Sequence, residues 1–146
     1  MLLILYVDDA CIISPNKQSI QNEIKSLQKD YDLTDDGKLQ DYIGTRCIRN
    51  DNGSVTLSQP CMIERLLKIV GLDSNDVYVK LHDTPANAVL QDNPNSEPRR
   101  QTWHYRSAVG CLSYIQSIVR PDITFAVQQC ARFCNNSNRD HEEAVK

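Results

Sequence analysis

Two adjacent aspartates, Asp8 and Asp9, follow an almost unbroken apolar run in the stretch MLLILYVDDA. The run Leu2 to Leu5 predicts a buried strand and Cys11 to Ile13 predicts a second strand, which places both carboxylates at the tip of a tight β-hairpin. Aspartate is common in turns, but Asp-Gly or Asn-Gly suits a two-residue turn better. Adjacent carboxylates repel each other unless a cation neutralises them, and Mg²⁺ prefers oxygen ligands. The pattern leaves a plain turn and a divalent-metal site equally open.

The six cysteines include no CxxC pair, so most of them are expected to pack as small hydrophobic residues. Cys130, Cys134 and His141 supply three possible zinc ligands, but structural zinc sites usually take four ligands from closer pairs. We therefore expect free thiols in a reducing, intracellular compartment rather than a zinc site.

Length and composition favour a soluble globular chain of one ordinary domain or parts of two, with 146 residues, 40% hydrophobic and 24% charged. The apolar runs are too short to cross a bilayer, so no membrane partner is expected. Residues 1–37 carry three lysines against seven acidic residues, whereas residues 98–146 carry seven basic against four acidic residues. This asymmetry suits a metal site beside a surface that follows phosphates, although a solvated surface without a ligand fits equally. Arg99, Arg100 and Arg120 are open to the same two interpretations.

The first half of the chain predicts a helix and two strands after the hairpin. A helix is expected to begin at Pro15-Asn16 and to end at Asp35-Asp36-Gly37, with one apolar face. That face consists of Ile20, Ile24, Leu27 and Tyr31. Residues 39–48 and 54–58 predict two strands joined by a hairpin turn at Asp51-Asn52-Gly53.

The second half predicts mainly helices. The first is expected to be capped by Ser58 and to end at Gly71. Residues 72–100 form a long connection, in which NPNSEPRR is the best candidate for a boundary. Three further helices are predicted from about Tyr105, after Pro121 with Asp122 as its cap, and at Asp140 with Glu143 as a capping box. The expected fold class is α+β.

Several stretches in this order resemble one family: YVDD, DLTDDGKLQDYIGT, VTLSQPCMIERLLKIVGL and YRSAVGCLSYIQSIVRPDITFAVQQCARF. The chain is similar to the reverse transcriptase of Ty1/copia-type LTR retrotransposons, from the YVDD box onward, and the similarity is thinnest between about 72 and 100. It implies part of a right-hand polymerase. Residues 1–48 would be the C-terminal part of the palm, residues 49–98 a hairpin strand, helix and Pro-rich connection, and residues 99–146 a thumb-like helical region.

The resemblance assigns the catalytic role to Asp8 and Asp9, which would hold two magnesium ions, or manganese in their place. Those ions would activate the primer 3′-hydroxyl and neutralise the nucleotide phosphates during in-line transfer. Tyr6 and Val7 would lie beside the primer terminus. Their apolar surface also suits a strand that fills a core.

Two further groups of residues acquire roles by resemblance. Tyr42-Ile43-Gly44 falls where the family places its primer grip, although an ordinary hairpin has the same signature. Arg106, Gly110 and Tyr114 would form one face of a thumb helix that follows the minor groove of the duplex. A glycine in mid-helix suits the close approach of another backbone, which is either a nucleic acid or a neighbouring helix.

The sequence holds no counterpart of the family's third palm aspartate, fingers or nucleotide pocket, so the chain alone is expected to polymerise nothing. Thr34 and Asp36 also depart from the family's usual basic residue and leucine. The alternatives are a non-catalytic remnant that binds RNA–DNA duplex and a small magnesium-binding regulatory domain. The last needs strands that alternate with helices, and the Asp51-Asn52-Gly53 hairpin and the Pro-rich stretch speak against it.

The resemblance implies several partners for the parent protein: an RNA template, a DNA primer, the RNA–DNA hybrid, dNTPs and an upstream polymerase half. The implied location is cytoplasmic, within the virus-like particles of the parent element. The apolar strand Leu2 to Leu5 would be an exposed edge, which favours self-association.

Overall fold

The computed structural model describes residues 1–72, 89–100 and 102–146. The chain forms two compact units, Met1–Ser58 and Gln59–Lys146. Strands occur in the first unit and helices in both, so the expected α+β class is confirmed. The functional division at residues 48 and 98 stays a prediction.

The first unit begins with the antiparallel hairpin of β1 (Leu2–Tyr6) and β2 (Asp9–Ile13). This confirms the predicted hairpin, with Val7-Asp8 as its two-residue turn. The strand is not buried as expected, because Leu2 to Leu5 are between 36% and 69% exposed. Cys11 on β2 is the one buried residue of the fully described range Met1–Ser58.

Helix α1 (Lys17–Leu27) begins where expected, because the Asn16 side chain accepts a hydrogen bond from the backbone of Gln18 at 2.8 Å. Its predicted end at residues 35–37 is wrong. The backbone N–H of Asp30 bonds to the carbonyl of Leu27, three residues earlier, so the last turn tightens and the helix stops. Tyr31 then lies outside the helix and is 66% exposed.

The expected strand at 39–48 is two strands, because a turn at Ile43-Gly44 divides it. Strands β3 (Asp41–Tyr42), β4 (Thr45–Arg49) and β5 (Val55–Ser58) form an antiparallel sheet in that order. Ile43 and Gly44 both have positive φ, 49° and 69°, as a tight two-residue hairpin turn requires. The predicted turn between β4 and β5 is confirmed by the hydrogen bond from Gly53 N to Asn50 O at 3.0 Å.

The second unit consists of helices α2 (Pro60–Val70), α3 (Tyr105–Ile118), α4 (Thr124–Ala131) and α5 (Arg139–Val145). The apolar faces of α2, α3 and α4 meet in one core together with an aromatic residue just before α3. The core residues are Val70, Trp103, Tyr105, Ala108, Val109 and Cys130. Within the described part of the chain, every helix is too short or too polar to span a membrane.

Three of the predicted helix caps are wrong. Ser58 still pairs with Arg46 in the β4–β5 ladder, so Gln59 occupies the N-cap of α2. Asp122 forms an ion pair with Arg120 at 2.7 Å instead of capping α4, and a short 3₁₀ turn precedes that helix. The capping box of α5 is built by Asn138 and His141.

The segment 89–100, which the sequence marks as a boundary, is bonded to α5. The carbonyl of Gln91 lies 3.1 Å from His141 Nε2, and the backbone N–H of Arg139 donates to the carbonyl of Glu97 at 3.0 Å. The backbone N–H of Arg100 donates to the Glu142 carboxylate at 2.9 Å. Segment and helix therefore belong to the same compact unit.

Candidate functional site

The β1–β2 turn holds the two predicted metal-binding aspartates. Tyr6 and Asp9 are paired across the turn, so their side chains leave the same face of the hairpin, while Asp8 lies within the turn. Val7 has φ of 52° and is 87% exposed. A β-branched residue in this region of φ is strained, and such strain is concentrated at functional sites.

Both carboxylates are exposed, so a cation can reach them from solvent. Two oxygen-bearing side chains suit Mg²⁺ or Mn²⁺ chemically, but ideal octahedral coordination needs further ligands. Across residues 1–72, 89–100 and 102–146, no group of three or more His, Cys, Asp or Glu side chains is placed to hold a metal. The Asp8–Asp9 pair is therefore an incomplete protein ligand set.

Tyr42, a predicted primer-grip residue, is influenced by the charge of one of these aspartates, Asp9. Its hydroxyl is closed to solvent and has no hydrogen-bond partner among the residues that the structure describes. Burial raises the pKa of the Tyr42 phenol, and Cys11 and Asp9 raise that pKa further by their charge when ionised. The structure thus brings Tyr42 into electrostatic reach of Asp9. Sequence patterns gave no sign of this electrostatic influence, because Asp9 and Tyr42 lie on different hairpins about thirty residues apart.

Ile43 and Gly44, the other predicted primer-grip residues, form the turn between β3 and β4. Gly44 is exposed and has a positive φ, which residues other than glycine adopt only at an energetic cost. The family resemblance placed these residues on a hairpin, whereas the sequence pattern predicted an unbroken strand over residues 39–48.

The predicted duplex-binding residues lie along α3 in the second unit. Arg106 is exposed and donates a hydrogen bond to the Asn135 side chain at 2.9 Å. Gly110 is exposed, and a Cβ added there would meet no atom of the described residues within 4 Å. None of the helices that the structure describes therefore explains the glycine, whereas an incoming backbone would find open space. Tyr114 is half-buried on the same face.

Two serines outside the predicted set of residues extend this face. Ser113 and Ser117 stand seven and eleven residues after Arg106, spacings that put them on the same side of a helix. The Ser117 hydroxyl donates to the carbonyl of Tyr114 at 2.8 Å. The helical spacing from Arg106 is the sequence signal that could have identified both serines. We name the set Arg106, Gly110, Ser113, Tyr114 and Ser117 the α3 open face.

The three other arginines considered for phosphate contact have partners within the protein. The Arg99 guanidinium stacks over the Trp103 ring at 4.7 Å and bonds to the Trp103 carbonyl. Arg100 pairs with Glu97 at 3.2 Å, and Arg120 is the partner of Asp122 described above. These contacts support a structural role for them.

The zinc hypothesis at Cys130, Cys134 and His141 is not supported. His141 is fully buried; its Nε2–H donates to the Gln91 carbonyl, and its Nδ1 accepts from the backbone of Asn138 at 3.2 Å. Its ring also stacks on Phe133, with 3.7 Å between centroids. With both nitrogens occupied, His141 cannot ligate a metal while the helix cap is intact.

The chain is similar over nearly its whole length to several transposon-encoded proteins. A retrovirus-related Pol polyprotein from transposon TNT 1-94 of Nicotiana tabacum is 31% identical over 100% of this chain and 11% of its own length. A putative transposon Ty5-1 protein of Saccharomyces cerevisiae is 27% identical over 97% of this chain and 45% of its own. A retrovirus-related Pol polyprotein from transposon RE1 of Arabidopsis thaliana is 22% identical over 99% of the chain and 10% of its own.

The chain thus spans between a tenth and about half of the curated relatives it matches. No protein-family model matches the sequence, and no solved structure matches the chain significantly.

Proposed function

We propose that this chain, which is related to a region of retrotransposon Pol polyproteins, is a part of an RNA-directed DNA polymerase. The observation that carries the proposal is the pair Asp8 and Asp9, exposed at a strained two-residue turn. An isolated surface turn gains nothing from two repelling carboxylates and a strained valine. A metal site that must face a nucleic-acid end gains both charge and rigidity from them.

In this proposal Asp8 and Asp9 hold magnesium, or manganese. When bound, the metal supplies charge neutralisation of phosphate oxygens and activation of a hydroxyl nucleophile. The protein's own contribution is to fix the carboxylates at the turn through the Tyr6–Asp9 pair and the constrained Val7 backbone.

The other site residues would position nucleic acid. Tyr6 and Val7 are 56% and 87% exposed at the turn, where they would lie beside the primer terminus. The Tyr42-Ile43-Gly44 turn would support the primer end. The α3 open face offers a cation, a glycine backbone and hydroxyls to a duplex, of the kinds that contact phosphates and sugars without reading sequence.

The incomplete ligand set predicts that the chain alone does not polymerise. The missing ligands would come from an upstream polymerase half, from nucleotide phosphates and from water. The working partners would then be an RNA template, a DNA primer, their hybrid and dNTPs, in cytoplasmic virus-like particles of the parent element.

The second candidate is a non-catalytic remnant that binds RNA–DNA duplex. The α3 open face favours it, because the space over Gly110 is available without any metal. This candidate needs neither Asp8 nor Asp9.

Primer extension on an RNA template, with Mg²⁺ and all four dNTPs, tests the proposal. The chain is assayed alone and mixed with the upstream half of a related element. Asp8→Asn/Asp9→Asn is the test variant. Asp35→Asn/Asp36→Asn is the matched control, because it removes another adjacent aspartate pair of the same unit.

We expect extension only in the mixture, lost in the test variant and kept in the control. Extension by the chain alone would contradict the need for further ligands. Absence of extension in every mixture, with duplex binding that survives the test variant, would favour the remnant.

A further inference from the structure

We infer that His141 is a pH-sensitive switch, which holds helix α5 to segment 89–100 only while its imidazole ring is neutral. Helix and segment should separate as the pH falls through the range in which histidine ionises, about 6 to 7. The inference goes beyond the proposed function and does not depend on it, because every contact that carries it lies within the second unit.

The two hydrogen bonds of the His141 ring fix its protonation state. The backbone N–H of Asn138 can only donate, so the Nδ1 atom of His141, 3.2 Å away, accepts and carries no proton. The carbonyl of Gln91 can only accept, so Nε2, 3.1 Å from it, carries the proton. Both partners are backbone groups and cannot exchange these roles. The docked ring is therefore the neutral tautomer with its proton on Nε2.

A second proton on this ring would break the cap of α5. It would bind Nδ1 and point at the N–H of Asn138, so that two donors face each other. His141 is fully buried, and water therefore cannot supply the missing acceptor. The Phe133 ring attracts a cation through its face, but it lies within 13° of parallel to the imidazole. An N–H in the imidazole plane cannot point at that face.

The carboxylates of α5 closest to His141 in sequence are already bonded to segment 89–100. Glu142 is buried and accepts from the backbone N–H of Arg100 at 2.9 Å, and Asp140 accepts from the Asn93 side chain at 3.2 Å. An imidazolium would have to compete with these bonds for a carboxylate. The other charged side chains of the helix and the segment are Asp92, Glu97, Arg99, Arg139, Glu143 and Lys146.

The elements packed against α5 carry groups that ionise outside the range of histidine. Burial raises the pKa of the Tyr105 phenol on α3 and of the Cys130 thiol on α4, both of which already ionise above neutral pH. Carboxylic acids ionise near about pH 4, and arginines stay charged throughout. The remaining titratable groups of these elements are Cys111, Tyr114 and Cys134. Within the described parts of this region, His141 is the side chain that changes charge just below neutral pH.

Acid therefore favours separation of the helix from the segment. The docked ring takes up no second proton, whereas a histidine exposed to water takes one up as the pH falls, so docking is complete at neutral pH and is lost in acid. For a solvated histidine with a pKa of about 6.5, the docking equilibrium constant should fall about tenfold between about pH 7.5 and about pH 5.5. The contacts from Gln91 to His141 and from Arg100 to Glu142 would be lost together.

Hydrogen exchange of the Arg100 and Arg139 amides, followed by NMR at both pH values, tests the inference. Protection factors remove the effect of pH on the chemical exchange rate itself. The test variant is His141→Gln, because glutamine at this helix position also accepts from the N-cap N–H but does not ionise. One control is His104→Asn, which replaces the exposed N-cap histidine of α3 by another capping residue. The other is His82→Gln, at the third histidine of the chain.

We expect the protection of both amides to fall about tenfold on acidification of the parent chain and to stay constant in His141→Gln. Both controls should keep the tenfold loss. An equal loss in the parent chain and in His141→Gln would overturn the inference, because another group would then cause it. Where His141→Gln does not fold, ¹⁵N shifts of the imidazole in the parent chain decide. An ionised His141 in a helix that is still protected would overturn the switch, and a ring that ionises only as protection is lost would support it.

Discussion

Val7 and Ile43 occupy the same position in two hairpin turns of the first unit. Each directly follows a tyrosine that pairs across its turn, and each has a positive φ, 52° for Val7 and 49° for Ile43. They are the two residues other than glycine with positive φ in the described part of the chain. The backbone strain of the first unit is thus located at the two turns to which the proposal assigns the metal and the primer end.

Val7→Gly should stabilise the protein and weaken its metal site. The left-handed region costs an L-residue about 1–2 kcal/mol, which exceeds the entropic cost of glycine of about 0.5–1 kcal/mol. The free energy of unfolding should therefore rise by roughly 0.5–1 kcal/mol in chemical denaturation. Mn²⁺ affinity should fall, because the carboxylates lose their restraint. Ile43→Gly should give the same gain in stability. A loss of stability in Val7→Gly would contradict the conclusion that the Val7 backbone is strained.

Gly110→Ala should separate stability from duplex binding. The added methyl meets open space, so the helix should gain about 0.5–1 kcal/mol. If a nucleic-acid backbone docks there, fluorescence anisotropy should show weaker binding to an RNA–DNA duplex. The control Gln128→Ala lies on an exposed position of α4 and should not change binding. A Gly110→Ala protein that binds duplex as well as the parent would argue against the α3 open face.

Tyr105→Phe should remove a buried hydrogen bond. It should also reduce the loss of stability of the protein at alkaline pH. The hydroxyl donates to the carbonyl of Cys130 at 3.0 Å, a bond whose loss should cost about 1–2 kcal/mol near neutral pH. Burial raises the pKa of Tyr105 above the ordinary 10.0. The phenol therefore ionises at a lower pH in the unfolded chain than in the folded protein. Its contribution to stability is fully present below pH 10.0 and falls as the pH rises through the higher folded pKa.

Denaturation measured between about pH 8 and pH 11 checks this, within the range where tyrosine ionises. The fall in stability should be shallower in Tyr105→Phe than in Tyr31→Phe. Equal slopes in the two variants would mean that Tyr105 does not contribute to the alkaline loss.

Glu97→Gln should reduce the acid sensitivity of the second unit. Hydrogen bonds from Arg139, at 2.7 Å, and Arg100, at 3.2 Å, lower the pKa of Glu97 below the usual 4.5. Its contribution is therefore present above pH 4.5 and is lost as the pH falls through the lower folded pKa. Acid unfolding should be less steep in Glu97→Gln than in Glu64→Gln, which changes an exposed glutamate on α2. The effect should be small, because the pair is exposed.

His141→Ala should be among the most damaging single changes in the second unit. It removes a fully buried ring, two hydrogen bonds and the stack on Phe133, which together should cost about 2–4 kcal/mol. Hydrogen exchange should show lost protection at the Arg139 and Arg100 amides. Glu143→Ala, on the exposed side of the same helix, should cost far less. Comparable losses in the two variants would contradict this account.

Local patterns in the sequence correctly predicted the elements that are stabilised by interactions between residues close in sequence. The apolar face of α2, its end at Gly71 and the Asn52-Gly53 turn all follow from spacing and turn chemistry. The turn at Ile43-Gly44 was missed because a β-branched residue is a poor choice at a position of positive φ. The tertiary structure holds Ile43 at a positive φ, which a β-branched residue disfavours.

The candidate site was predictable only in part for the same reason. The adjacency of Asp8 and Asp9 is visible in the sequence, and the helical spacing from Arg106 to Tyr114 predicts a shared face. Nothing in the spacing relates Tyr42 to Asp9, because that electrostatic influence depends on the tertiary structure. The ion pair of Arg120 with Asp122 was likewise mistaken for a helix cap, since an aspartate after proline satisfies both patterns.

The bonds between segment 89–100 and α5 also fix an order of events in folding. They join residues 42 to 50 positions apart, so the segment leaves the ribosome well before the helix that binds it. Closing such distant contacts costs chain entropy, which is offset only when the helix has formed and can bind the segment. During synthesis the second unit must therefore wait, with Gln91 and Arg100 unbonded, until His141 and Glu142 emerge. Docking of the segment onto α5 is therefore a late step in the folding of the second unit.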